Sequence, residues 1–192
     1  MAINQTIGTF IDQFVKRDGQ RDNLYRIMAL NTSVLQLDER DLVYARAGKI
    51  PARTNPVGTI SYHGMKLPYN LSSVEYTGNE DFQVEFVFDA RNEIRTKFEE
   101  ASRLVFNDIT NTGNWAAPQL SDVMTVATLD INLDPVSYYT FYGVAFKGIG
   151  EVAFNIAEGT GSIVNVPINL TYYFYRSPGA DTVWAGSANG IN

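Results

Sequence analysis

The chain has 192 residues and a formal net charge of −6, with 21 acidic residues against 15 Lys and Arg. Hydrophobic residues make up 45% of the chain and charged residues 19%, which is typical of one folded domain rather than a disordered chain. The absence of cysteine excludes disulfides, thiol catalysis and cysteine-ligated metals, and the single histidine excludes a two-histidine metal motif.

The amino terminus lacks the basic and apolar regions of a secretory signal, and no stretch approaches the about 18 apolar residues of a membrane span. We therefore expect a protein that is made and used without export and has no membrane contact. The acidic balance disfavours a sequence-reading DNA-binding protein, because such proteins need clustered Lys and Arg. DNA stays possible as a passing neighbour.

Residues 1–18 are predicted to contain a short amphipathic helix that Gly19 ends. Its apolar stripe consists of Ile3, Ile7, Phe10, Ile11 and Phe14. This stripe needs a cover, either the domain's own core or a neighbouring subunit, and the sequence favours the core.

A strand is predicted over residues 24–30, followed by a long loop over residues 31–56 with no sustained period. Loops longer than about 15 residues are uncommon in compact domains unless they bind something, so this loop is a candidate interaction element. Its basic residues are Arg40, Arg46, Lys49 and Arg53. Residues 1–53 carry a net charge of +2 and residues 54–192 carry −8, so the two parts could attract each other across copies, although an excess of +2 is usually only a solvated face.

Alternating patterns dominate from residue 57 onward. Residues 59–62 and 65–69 are predicted to form strands around a turn at His63 and Gly64, and residues 82–88 form a strand with one aromatic face. Residues 90–106 show helical spacing, with Asp89 at the N-cap position. The helix is expected to expose Arg91, Arg95, Glu99 and Arg103.

The carboxyl-terminal half is predicted to be β-structure. One long strand covers residues 123–134, with Asp130 and Asp134 at its outer end, and a hairpin joins residues 152–156 to residues 164–174 through a turn at 158–161. Pro167 indicates an edge strand or a bulge, since proline cannot donate a ladder hydrogen bond. Residues 177–192 are expected to be a flexible tail with Trp184 as the only strong anchor.

The expected fold class is α+β and mainly β: an antiparallel β-sandwich or barrel with one flanking helix and the short N-terminal helix. Catalysis is disfavoured. His63 is explained by its turn, the acidic pairs are typical of solvent faces, and the glycine pairs lack a nucleotide-binding context. We therefore expect no enzyme, no cofactor and no metal. An alternative is a glycan-binding β-sandwich that exposes Trp115 and Trp184.

Taken in order, these pieces resemble the tail tube proteins of contractile-tailed, T-even-like bacteriophages over about residues 5–176. The resemblance rests on the order of its parts rather than on one motif. These parts are the N-terminal helix, the first strand at Leu24 and Tyr25, the loop ending at residues 50–53, the strand pair at 58–67, the strand at 82–88 leading through residues 89–91 into a helix with Ile94, Arg95 and Phe98, and the last strand at 169–176.

The resemblance implies a single tail-tube domain over residues 1–176, in a homo-hexamer that closes a continuous inner β-barrel. The rings would stack into a hollow tube inside a contractile sheath and conduct double-stranded DNA without binding it specifically. Its partners would be further copies of itself, the tail sheath protein and a baseplate tube initiator, in a virion tail assembled in the host cytoplasm.

Two site expectations follow from the same resemblance. Asp130 and Asp134 would face the lumen, where acidic groups repel phosphates. The loop over residues 31–56, with its basic residues Arg40, Arg46, Lys49 and Arg53, and the N-terminal helix would reach adjacent rings or subunits. The chain is alternatively a baseplate tube initiator or the tube subunit of a related injection machine.

Overall fold

The computed structural model describes residues 7–8, 11, 21–113, 118–152 and 163–178. The helices are α1 (Glu39–Leu42) and α2 (Glu93–Val105), and Ile7, Gly8 and Ile11 are also helical. The strands of the first half are β1 (Tyr25–Asn31), β2 (Ala45–Ala47), β3 (Arg53–Thr54), β4 (Val57–Tyr62), β5 (Met65–Asn70), β6 (Glu75–Tyr76) and β7 (Phe82–Val87). The strands of the second half are β8 (Phe106–Asn107), β9 (Thr112–Gly113), β10 (Val123–Leu129), β11 (Pro135–Tyr142), β12 (Ala145–Ile149), β13 (Asn165–Thr171) and β14 (Phe174–Arg176).

Two four-stranded antiparallel sheets form the body of the chain. Sheet 1 has the strand order β1-β10-β11-β14, and sheet 2 has the order β12-β13-β7-β2. Three two-stranded ladders, β3–β6, β4–β5 and β8–β9, lie outside these sheets. The mainly β, antiparallel prediction is confirmed. Both sheets are open, and the described strands of one chain close no barrel.

The core lies between the two sheets. Phe82 of β7 packs on Phe141 of β11 with ring centroids 5.2 Å apart, which joins sheet 2 to sheet 1. Phe98 of α2 contacts Phe86 of β7 and Phe146 of β12 at centroid distances of 5.2 and 6.1 Å. Helix α2 thus covers the part of sheet 2 that sheet 1 leaves open. The predicted flanking helix and its buried Phe98 are confirmed.

Helix α2 begins three residues later than the sequence predicts, because the chain first makes a turn at Asp89. The Asp89 carboxylate accepts hydrogen bonds from the backbone N–H groups of Arg91 and Ile94 at 3.1 and 3.3 Å. Desolvation alone would raise the pKa of Asp89, but these N–H donors hold it below its usual value. Asn92, in the left-handed conformation with φ 57°, occupies the N-cap position itself.

Residues 31–56, predicted to be one long loop, contain regular structure. This stretch contains α1, β2 and β3, and β2 pairs with β7 at the edge of sheet 2. Each element has only two to four residues, which is too short for a helical or alternating pattern to be recognised in the sequence. The segment is therefore attached to the sandwich by its backbone.

Pro167 was predicted to mark an edge strand or a bulge. The edge alternative is wrong, because β13 lies between β12 and β7. The β12–β13 pair does shift register, between Phe146 and Gly148 of β12. The Pro167 carbonyl accepts a hydrogen bond from the N–H of Gly150 at 2.7 Å. Gly150 lies just beyond the last residue of β12. The missing proline N–H therefore falls where the β12 ladder has already ended. A Cβ on Gly150 would lie 2.4 Å from Cγ of Pro167, so glycine is required there.

The long strand predicted over residues 123–134 stops at Leu129. Residues 130–134 form the turn between β10 and β11, where Leu133 adopts a positive φ of 68°. Ile131 and Leu133, predicted to be on the apolar face, are exposed. The alternation of apolar and polar residues in the sequence continues through residues 130–134, although the backbone turns there.

Several predictions fall outside the described residues. These include the strand and turn over residues 153–162, the tail over residues 179–192, and both Trp115 and Trp184. Most of the predicted N-terminal helix also lies outside. Within the described part of the chain, no helix is long and apolar enough to cross a membrane.

Candidate functional site

Residues 53–76 form an arm that leaves the sandwich between β2 and β7. At its base, β3 pairs with β6, and the Thr54 hydroxyl donates a hydrogen bond to the Glu75 carbonyl at 3.2 Å. Farther out, β4 pairs with β5 over six residues on each strand. No other described element makes more than a marginal contact with this outer hairpin.

An aromatic contact anchors the base of the arm to the sandwich. The Tyr76 ring of β6 packs edge-on against Tyr172 and Tyr175, at centroid distances of 6.1 and 5.3 Å. Tyr172 also contacts Phe82 and Phe141 of the core. Burial raises the pKa of Tyr172 to about 12, with smaller contributions from the neighbouring tyrosines. The arm is therefore fixed at its base, and no described element supports it farther out.

The turn at the tip of the arm is the one that the sequence predicts. His63 and Gly64 connect β4 to β5 with φ values of 49° and 80°. Positive φ at both positions is characteristic of the type I′ turn, which matches the twist of a two-residue hairpin. His63 is exposed, and its role in this turn accounts for its position without catalysis.

One face of the hairpin is apolar and the other is mostly polar. Directly paired residues of antiparallel strands lie on the same face, and successive pairs alternate between the faces. The apolar face carries the pairs Gly58 with Tyr69, Ile60 with Leu67, and Tyr62 with Met65. The opposite face carries Val57 with Asn70, Thr59 with Pro68, and Ser61 with Lys66.

The apolar face of the arm is exposed to solvent. Its five large side chains, Ile60, Tyr62, Met65, Leu67 and Tyr69, are between 45% and 60% exposed. A two-stranded hairpin alone is marginally stable in water, and a contiguous apolar patch of this kind marks an interaction site. Gly58 contributes by its small size, because a Cβ there would lie 2.6 Å from Cζ of Tyr69.

The four predicted basic contact residues are exposed but lie on different elements. Arg40 is in α1, Arg46 in β2 and Arg53 at the start of the arm, while Lys49 lies in the segment between β2 and β3. The cation that does pair near α1 is Lys97 of α2, whose ammonium donates to the Asp41 carboxylate at 2.5 Å. The four basic residues therefore lie along the stretch of chain that leads to the arm.

Asp130 and Asp134 lie together in the exposed turn between β10 and β11. The Asp130 carboxylate accepts hydrogen bonds from the backbone N–H groups of Asn132 and Asp134, at 2.8 and 2.9 Å. The Asp130 N–H in turn donates to the Asp134 carbonyl at 2.9 Å. Asp130 thus shapes the turn; it is half-buried, whereas Asp134 is exposed.

The described residues contain no cluster of three or more potential metal-ligating side chains. Sequence reasoning located the two strands of the arm but missed their exposure, and it did not single out Tyr76. Tyr76 belongs to a two-residue strand, so no periodic signal in the sequence could have found it.

Solved structures that share this fold include two from contractile assemblies. One is a chain in the cryo-EM structure of the anti-feeding prophage baseplate, six-fold symmetrised, with TM-score 0.56 and 12% identity over 83% of this chain and 95% of that chain. The other is a chain in the cryo-EM structure of an extracellular contractile injection system, the PVC sheath–tube complex in its extended state. Its TM-score is 0.51, with 7% identity over 86% of this chain and 97% of that chain. No protein-family model and no curated protein matches the sequence.

Proposed function

We propose that this chain is a structural, non-enzymatic subunit of a contractile tail or injection apparatus that assembles with copies of itself. The observation that carries the proposal is the arm, whose apolar face is exposed and is covered by no described element of the chain. The fold shared with chains of a contractile baseplate and a sheath–tube complex supports the same conclusion.

In the finer form of the proposal, six copies close into a ring with a continuous inner β-barrel, and the rings stack into the inner tail tube. The open sheets support ring closure, because β1 and β14 end sheet 1 while β12 and β2 end sheet 2. Pairing across copies would cover edges that otherwise template unwanted association. A contact that closes in the plane gives a ring, and a head-to-tail contact along the axis gives a filament.

The tube would conduct double-stranded DNA during ejection from a virion tail assembled in the host cytoplasm. The net charge of −8 over residues 54–192 supports a lumen that repels phosphates. We place Asp130 and Asp134 at this lumen and Arg40, Arg46, Lys49 and Arg53 at contacts between rings. The further partners would be the tail sheath protein and a baseplate tube initiator, and residues 1–176 would form the single tail-tube domain.

A second candidate is the baseplate subunit on which the tube starts, or the tube subunit of an injection machine related to the T-even-like phage tail. The likeness to a baseplate chain favours it. Counting copies per assembled particle distinguishes the two, since an initiator contributes one ring and a main tube subunit contributes many. The glycan-binding alternative depends on Trp115 and Trp184, which lie outside the described residues.

Sedimentation velocity over a concentration series tests the assembly proposal. Ile60→Lys places a charge on the apolar face of the arm, whereas Thr59→Lys places the same charge on the opposite face of the same strand. We expect Ile60→Lys to weaken self-association at least about tenfold, because the ammonium must be desolvated in an apolar contact, and Thr59→Lys to stay near wild type. A wild-type chain that stays monomeric at the highest concentration, or equal effects of both variants, would overturn the proposal.

A further inference from the structure

A cavity of about 390 Å³ opens between the two sheets. Its floor consists of buried side chains of β1 and β10 in sheet 1 and of β7 in sheet 2: Ile27, Phe82, Val84, Met124, Val126 and Thr128. Protein interiors contain few voids larger than a water molecule, and this space equals roughly 13 waters at about 30 Å³ each. Its volume lies within the range of about 300–1,000 Å³ that is typical of small-molecule sites.

The floor of the cavity suits hydrocarbon rather than a polar ligand. All of its side chains are apolar except Thr128, whose hydroxyl already shares a hydrogen bond with the Ser137 hydroxyl at 2.5 Å. Water is disfavoured in an apolar space of this kind. Sugars and peptides carry hydroxyl or amide groups along their whole length, and these groups would lose their hydrogen bonds to water there. The part of a ligand that fits this floor is therefore an alkyl chain.

The mouth of the cavity carries two cations. Arg21 and Asp22 border it on one stretch of chain, and Gly48, Lys49 and Ile50 border it on another; all five residues are exposed. Neither Arg21 nor Lys49 forms an ion pair with another described residue. With Asp22 counted, the mouth has a formal charge of +1 in a chain whose net charge is −6. A positive mouth above an apolar floor matches a ligand with an anionic end.

Tyr25 adds a third hydrogen-bond donor to the lining of the cavity. Its ring lies against Gly48 of the mouth, where a Cβ would be 3.7 Å from Cε2 of Tyr25. Its hydroxyl is buried and makes no hydrogen bond to another described residue. Burial raises the pKa of Tyr25, and the charge of Glu85 raises it further, so the hydroxyl stays protonated and can donate. A carboxylate accepts hydrogen bonds from hydroxyl, guanidinium and ammonium groups alike.

We propose that this cavity binds a medium-chain alkyl carboxylate, with the alkyl chain between the two sheets and the carboxylate at the mouth beside Arg21, Lys49 and Tyr25. A methylene group and a water molecule are similar in size, so roughly ten carbons including the carboxylate fill the space. The inference goes beyond the proposed function, because it assigns a ligand to the inside of a single sandwich and requires no contact between copies.

Isothermal titration calorimetry of the full chain with decanoate, decanol and decyltrimethylammonium tests the inference. The three probes share the same alkyl chain and differ in the charge of the polar end, and each titration stays below the concentration at which the probe forms micelles. We expect saturable one-to-one binding of decanoate, at least about tenfold tighter than that of either other probe, because only its polar end is attracted to the cations of the mouth.

Lys49→Glu and Lys66→Glu form a matched pair of charge reversals at exposed positions. Lys49 borders the cavity, whereas Lys66 lies in the arm and does not. We expect Lys49→Glu to weaken decanoate binding at least about tenfold and to change decanol binding less than about twofold, while Lys66→Glu leaves both at the wild-type level. Val126→Phe should weaken both probes, because its larger side chain occupies the floor. Circular dichroism checks that this variant folds, and the lysine pair decides the outcome if it does not.

Decanoate binding that Lys49→Glu weakens and Lys66→Glu leaves unchanged supports the inference. The absence of saturable decanoate binding, an equal affinity for decanol, or equal losses from the two lysine variants overturns it. A cavity that another part of the same chain already fills would give the first of these results. Sedimentation of the same samples reports assembly separately. A chain that assembles without binding decanoate rejects only the ligand site, whereas a strict monomer that binds decanoate rejects only the self-assembling subunit.

Discussion

Strand β7 and the hairpin of the arm have the same alternation of apolar and polar side chains but opposite surroundings. In β7, Phe82, Val84 and Phe86 are at most 1% exposed because sheet 1 and α2 cover that face. In the arm, Ile60 and Leu67 are 56% and 48% exposed, since no described part of the chain covers them. Period two identifies which residues share a face, and only the tertiary neighbours determine whether that face is buried.

The largest expected difference between the two regions is in the stability of the isolated chain. Phe86→Ala should lower the free energy of unfolding by about 3–5 kcal/mol, because it leaves a cavity beside Phe98. Ile60→Ala should change it by less than about 0.5 kcal/mol in dilute protein. Urea unfolding of both variants measures the contrast, and a comparable loss for Ile60→Ala would mean that the arm packs on its own chain.

High pH should act on the region where the arm joins the sandwich. The pKa of Tyr172 is about 12 when folded against a usual value of 10, so the folded chain holds this proton more tightly. The contribution is complete below pH 10 and is lost as the pH rises toward 12. Wild type should lose about 1–2 kcal/mol more than Tyr172→Phe over this window in unfolding experiments.

Tyr69→Phe on the exposed face of the arm provides the matched control for that experiment. It should follow the wild-type pH profile, because Tyr69 lies outside the buried cluster. If Tyr172→Phe retained the full alkaline loss of stability, the raised pKa of Tyr172 would not be its cause.

A smaller difference in stability is expected between two glycine-to-alanine variants, one in the sandwich and one in the arm. In Gly150→Ala the new Cβ meets Cγ and the carbonyl oxygen of Pro167 at 2.4 and 2.8 Å, so backbone must move and about 1–3 kcal/mol is lost. In Gly58→Ala the new Cβ meets the Tyr69 ring, which can swing into solvent. The free energy of unfolding of Gly58→Ala should stay close to wild type. Its self-association, measured by sedimentation, should be weaker because the apolar face is reshaped.

The sequence was sufficient for elements whose pattern extends over several residues. The buried face of β7, the helix with Phe98 and the turn at His63 and Gly64 all follow from spacing and turn chemistry. Elements of two to four residues, such as β3 and α1, were missed because they carry no period. Asp130 was placed on a strand because alternation continued into the turn that its own carboxylate shapes.

The candidate site was harder to predict than the fold. It is defined by the exposure of the arm's apolar face, and exposure depends on whether another part of the chain packs there. The spacing predicts two strands around the turn at His63 and Gly64, but nothing local in the sequence indicates that this hairpin leaves the sandwich. Pro167 shows the same limit in the core. Its tolerance in a central strand depends on where the neighbouring strand β12 ends, which is set by tertiary structure.

Above all, we propose that another copy of the chain covers the apolar face of the arm. A cryo-EM reconstruction of the assembled protein measures this directly. It should show Ile60 and Leu67 buried against an adjacent subunit, with the hairpin still projecting from its own sandwich. Assemblies in which this face stays in solvent, or in which the hairpin folds back onto its own chain, would contradict the claim.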